Sequence, residues 1–163
     1  MKLNFRIKHH FFSAFREFFV HRHGSLAFRA KIFALIIAAN DKVKAENYVI
    51  VKNIGMEIYK DDEERANLLM LSTKELVKKV KDNNGLDIDI LVLSIQKELR
   101  IIPRFAKKID IEALRPLLNL SHDRDTISYQ ENILEFLSTL KEETLHNRKA
   151  QIVQDEEELD STK

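Results

Sequence analysis

Apolar residues recur every three to four positions along most of this chain, the period of an amphipathic helix. Phe11, Phe12, Phe15, Phe18 and Phe19 form the first such stripe, with His9, His10, Arg16, Glu17 and His21 opposite. The spacing predicts a helix over about residues 3–22, stopped at Gly24. A second helix starts at Ser25 and runs to Ala39. Its stretch Ile32–Ala39 is apolar on every side, as a helix surrounded by others would be. A third covers residues 44–59, with Val51, Ile54 and Ile58 inward. A fourth covers residues 62–81, with Ala66, Leu69, Leu76 and Val80 inward. Its acids (Asp61, Asp62, Glu63, Glu64) sit at the N-terminal end and its bases (Lys78, Lys79, Lys81) at the C-terminal end, as the helix dipole favours. Asp87 caps a fifth helix carrying Ile88, Leu91, Val92, Ile95, Leu99 and Ile102, which Pro103 ends. One or two short helices, broken near Pro116, fill residues 104–120. Ser128 with Glu131 reads as a capping box opening a last helix on Ile133, Leu134, Phe136, Leu137 and Leu140.

These elements predict an all-α fold, a compact irregular bundle of six to eight helices. Composition supports it: three Gly and two Pro are too few for the turns of an all-β domain, and 44% hydrophobic with 33% charged residues is globular. The 163 residues suit one bundle over 25–150, preceded by the Phe-rich helix (1–24) and followed by an acidic, disordered tail (151–163). The absence of cysteine excludes disulfides, thiolate catalysis and Cys-ligated zinc, and fits a cytoplasmic location. The longest apolar run, eight residues, is too short to span a bilayer, and Arg16, Glu17, His21 and Arg22 interrupt any signal-peptide pattern.

Net charge is +1, but it is segregated. Residues 1–31 carry Lys2, Arg6, Lys8, Arg16, Arg22, Arg29 and Lys31 against Glu17. The chain end carries Asp155, Glu156, Glu157, Glu158 and Asp160 against Lys163. A neutral total without a basic recognition helix argues against nucleic acid as a partner.

Two segments resemble each other. Ala39-Asn40-Asp41-Lys42-Val43-Lys44-Ala45-Glu46-Asn47 is matched by Asp123-Arg124-Asp125-Thr126-Ile127, with Glu131-Asn132 following. Each joins a helix end to an acidic turn, a β-branched residue and a Glu-Asn pair in the next helix. At these residues the chain resembles the TerB-like family, the helical domain of tellurite-resistance proteins. A similar domain precedes the J-domain of some membrane-attached co-chaperones. The family's repeated turn is an Ala-Asp-Gly followed by Val or Ile and a Glu. Asn40 stands here for the Asp, Asp41 for the Gly, and Arg124 where the second copy's acid would be. Over residues 25–141 the resemblance implies two related helical halves and a non-enzymatic role in bacterial stress response or complex assembly. It also implies a divalent cation held by Asp41, Glu46, Asp123, Asp125 and Glu131; the bottom-up alternative is that these acids cap helices.

Three readings of the Phe stripe stay open. Phe11, Phe12, Phe15, Phe18 and Phe19, flanked by Arg16 and Arg22, close the bundle, dock a protein partner or second copy, or lie on a membrane surface. The last would make the chain a peripheral adaptor at the inner membrane. A third function class, a metal-dependent hydrolase on Asp41, His122, Asp123 and Asp125, lacks further His ligands at helical spacing. His9, His10, His21 and His23 have poor zinc spacing, and no phosphate-binding loop or nucleophile elbow is present. No catalytic residue is therefore expected.

Overall fold

The computed structural model describes residues 24–162, so the Phe-rich stripe lies outside the described residues. Six α-helices and two 3-10 helices follow in order, with no strand among the described residues. They are α1 (Gly24–Ala38), α2 (Ala45–Ile58), α3 (Glu63–Lys81), α4 (Ile88–Ile101), η1 (Pro103–Lys108), α5 (Ile111–Leu114), η2 (Arg115–Leu120) and α6 (Arg124–Ser161). The all-α bundle expected from the periodicity is the observed fold.

Helix α1 is the axis of the molecule. Ten of its fifteen residues are buried, including Phe28 and every position from Ile32 to Ala38. It packs against α3, α4, α6, η1 and η2. Each fully buried Ile or Leu contributes about 1.5–3 kcal/mol, so this helix carries much of the hydrophobic stabilisation. Its one cation facing α4, Lys31, donates to Ser94 Oγ (2.9 Å) and Glu98 Oε2 (2.8 Å), which keeps the ammonium from being stranded against the core.

Helices α2 and α3 form a tight antiparallel-type hairpin closed by the turn at Tyr59–Asp62. Gly55 permits their approach: a Cβ there would lie 3.0 Å from Ala66 Cα and 3.2 Å from Ala66 Cβ. Asp62 caps α3 through the amide of Arg65 (3.1 Å), and Asp87 caps α4 through Ile90 (2.7 Å), as the sequence predicts for Asp87.

Three expectations need correction. The stretch 104–120 contains three short helices, and Pro116 opens η2 instead of breaking it: a ring that fixes φ and lacks an N–H is tolerated in a first turn. The last helix starts at Arg124, not Ser128. Asp123 accepts the Thr126 amide (3.0 Å) and so outcompetes the capping box five residues later. Finally, residues 151–161 continue α6 where a disordered tail was expected. They are exposed on all sides, but Glu- and Gln-rich helix is supported by i,i+4 bonds such as Gln151 to Asp155 (2.8 Å).

Candidate functional site

The two similar segments are linked indirectly, through side-chain amides and a hydroxyl and not through their acids. Asn40 ends α1 and Ser121 ends η2; both are buried. Asn40 Nδ2 donates to Ser121 Oγ (2.9 Å), Ser121 Oγ donates to Gln130 Oε1 (3.0 Å), and Gln130 Nε2 donates to the carbonyl of Ile36 (3.0 Å). Asn40 Oδ1 accepts the Lys42 amide (3.0 Å), and Lys81 at the end of α3 donates to the Asn40 carbonyl (2.6 Å). One chain of hydrogen bonds thus ties together α1, α3, η2 and α6. A buried polar chain of this kind costs little only when every member is satisfied, as these are.

Asp41, Glu46, Asp125 and Glu131 are exposed. Asp123 is committed to its cap: the Thr126 amide and hydroxyl both donate to Oδ2 at 3.0 Å. Those two bonds, the amide first, hold its carboxyl below the usual carboxylate range, and Lys42 adds to the effect. Among the described residues no three His, Asp or Glu side chains are grouped closely enough to hold a metal ion. His122, of the hydrolase reading, is an exposed residue beside the Asp123 cap. Gln130 carried a readable signal, since it falls on the buried stripe Thr126, Gln130, Ile133, Leu134 and Leu137. A helix started at Ser128 hides that stripe's first turn.

The second feature is a groove of about 660 Å³ between α4 and α6. It arises because both helices have more apolar surface than the core covers. Helix α4 buries Leu91, Ile95 and Leu99, but Ile90, Leu93 and Ile101 on its other side are 46%, 60% and 68% exposed. The 38 residues of α6 reach about 57 Å at 1.5 Å per residue, roughly twice a small domain's diameter. Its last buried residue is Leu137, and Ile152 and Val153 beyond are about half exposed. Leu93, Leu99, Pro103, Leu140 and Ile152 give the groove its apolar lining; Gln96, Arg100, Glu143 and Arg148 make it polar in part.

The groove has two helical walls, and seven of its twelve lining residues are polar or charged. Leu93 and Ile152 are the exposed large apolar side chains of its lining. Among the described residues, no helix is long and apolar enough to cross a membrane.

No protein-family model matches the chain, and neither the curated proteins nor the solved structures searched contain a match to it.

Proposed function

We propose that this protein is a non-enzymatic helical docking module, whose working surface is the α4–α6 groove. Within that class we assign it the TerB-like kind, acting in stress response or complex assembly in the cytoplasm or at the inner face of the membrane. The observation that carries the docking role is the groove itself, with Leu93 60% and Ile152 46% exposed on facing helices. The particular assignment is supported by the similarity of the two segments, whose Asn40 and Gln130 are linked through Ser121. The acids of those turns serve as helix ends and surface charge in this reading, with the Asp123 cap as the example.

The partner surface that fits is an amphipathic helix with large apolar anchors at three- and four-residue spacing. Capture from cells should compare the wild type, the double variant Leu93→Glu with Ile152→Glu, and Val49→Glu on the unrelated surface of α2. A discrete protein retained by the wild type and Val49→Glu, lost from the double variant, is the expected result. Purified, it should bind the double variant at least tenfold more weakly. Equal binding to all three would remove the groove as the docking surface.

A further inference from the structure

We propose that the helix the groove takes is the distal half of α6 from a second copy, two chains exchanging these ends antiparallel about a two-fold axis at Ile152. This rests on the reading of the groove as a helix-docking site and names its partner.

Three observations carry it. The first is a stripe. Leu145, Ile152 and Leu159 are spaced by seven, which keeps successive members within about 20° of one another around α6. Their side continues the inward face of the helix: Leu145 packs partly on the core and Ile152 lines the groove. Beyond the bundle it is bare, with Leu159 66% exposed.

The second is a symmetry of the sequence about Ile152. Leu145 and Leu159 lie seven residues either side of it, Arg148 and Glu156 four, Lys149 and Asp155 three. In an antiparallel pair centred on Ile152 each residue meets its counterpart across the axis. Leu145 then meets the partner's Leu159, Arg148 the partner's Glu156, and Lys149 the partner's Asp155. The two-fold axis repeats every contact. A parallel pair would set Arg148 beside the partner's Arg148 and Glu156 beside the partner's Glu156, so charge selects the antiparallel one.

The third is what a single chain leaves without a counterpart. Among the described residues no ion pair involves Arg148, Lys149 or Arg100, the other base lining the groove. Asp155 and Glu156 are exposed. A second helix would give the distal half of α6 the tertiary cover on which most helices depend. The contact is short, about 21 Å of helix from Leu145 to Leu159. The dimer should therefore form at high concentration and part on dilution.

Sedimentation equilibrium of the full chain over a concentration series tests this. The mass should rise from monomer towards dimer. Leu159→Glu should raise the dissociation constant at least tenfold, and so should Arg148→Glu combined with Lys149→Glu. Adding Asp155→Lys and Glu156→Lys to that pair puts opposite charges back across the axis and should restore the dimer. A chain that stays monomeric up to about 1 mM overturns the proposal. So does a dimer indifferent to these variants, or one that the charge exchange fails to rescue. The absence of cysteine allows a direct check of register. Leu145→Cys chains mixed with Leu159→Cys chains should bridge at least tenfold faster than Val49→Cys chains mixed with Leu159→Cys chains; equal rates contradict it. Amide exchange beyond Gln151 should slow as the concentration enters the dimer range, and unchanged exchange counts against pairing there. If all of this fails while another protein still discriminates the Leu93→Glu/Ile152→Glu variant, the groove remains a docking site and only the second copy is lost as its occupant.

Discussion

Asp123 shows how much one side chain decides. By accepting two bonds from Thr126 it caps α6 five residues earlier than Ser128 would, and it aligns Gln130 with the core. Its carboxyl titrates below the usual carboxylate range because the charged form accepts those bonds. A lowered folded-state value means the carboxylate's stabilisation is fully present above the unfolded value and is lost as pH falls through the folded one. Carboxyl NMR titration should therefore find Asp123 below the usual range, and Thr126→Val should raise it; an unmoved midpoint would contradict the hydroxyl's role. The buried chain beside it is costlier to disturb. Ser121→Ala strands Asn40 Nδ2 and Gln130 Oε1, so we expect a loss of about 1–3 kcal/mol in urea unfolding. A loss below about 0.5 kcal/mol would show that the chain is not a structural tie. The capping acid Asp87 was legible from its position before an apolar stripe, whereas Asp62 reads from the sequence only as a first-turn acid. The Asn40–Ser121–Gln130 chain was not, because its partners lie 81 and 9 residues apart and polar groups announce no pairing.

The elements divide by what makes them form. Helices α1 to α4 follow from apolar period and caps, and their limits fall within a residue or two of those the pattern predicts. The inward faces were read less completely: Val77 is buried at 2%, whereas Leu76 and Val80 are only partly covered. Residues 103–120 resisted because 3-10 and single-turn helices have no long period to detect. The distal part of α6 resisted for another reason. It has no buried face, so only propensity and local side-chain bonds maintain it, and tertiary contacts supply most helical stability elsewhere. Amide exchange should fall into two classes along this one helix, slow around Ile133–Leu137 and fast beyond Gln151. Uniform protection to Ser161 would mean that the distal half is covered in solution. The α2–α3 hairpin offers a converse test. Gly55→Ala gains helix propensity but drives a methyl group against Ala66, whose backbone cannot swing aside. Overpacking of this kind costs about 1–3 kcal/mol, so the net change should be destabilising, with Ala66→Gly restoring part of it. A more stable Gly55→Ala protein would show that the helices can separate freely.

At the scale of the molecule, a helix apolar on every side sits at the centre, and the amphipathic ones wrap it. That arrangement was legible from the run Ile32–Ala39. The groove was not, because it depends on the relative placement of α4 and α6, and no local pattern records where two helices diverge. Its signature was nonetheless present in α4, where Leu93 lies outside the stripe that the core needs. Replacing Leu93 by Lys should leave thermal unfolding within about 0.5 kcal/mol of wild type, since exposed positions contribute little to stability. A large loss would place Leu93 in the core and take it out of the docking surface. The most direct measurement of the docking role is a photoreactive amino acid placed at Leu93 of the full chain, activated in cells and read by mass spectrometry. The account predicts adducts concentrated on one partner helix, and absent when the same group replaces Val49. Adducts scattered over many proteins, or identical from Leu93 and Val49, would contradict it.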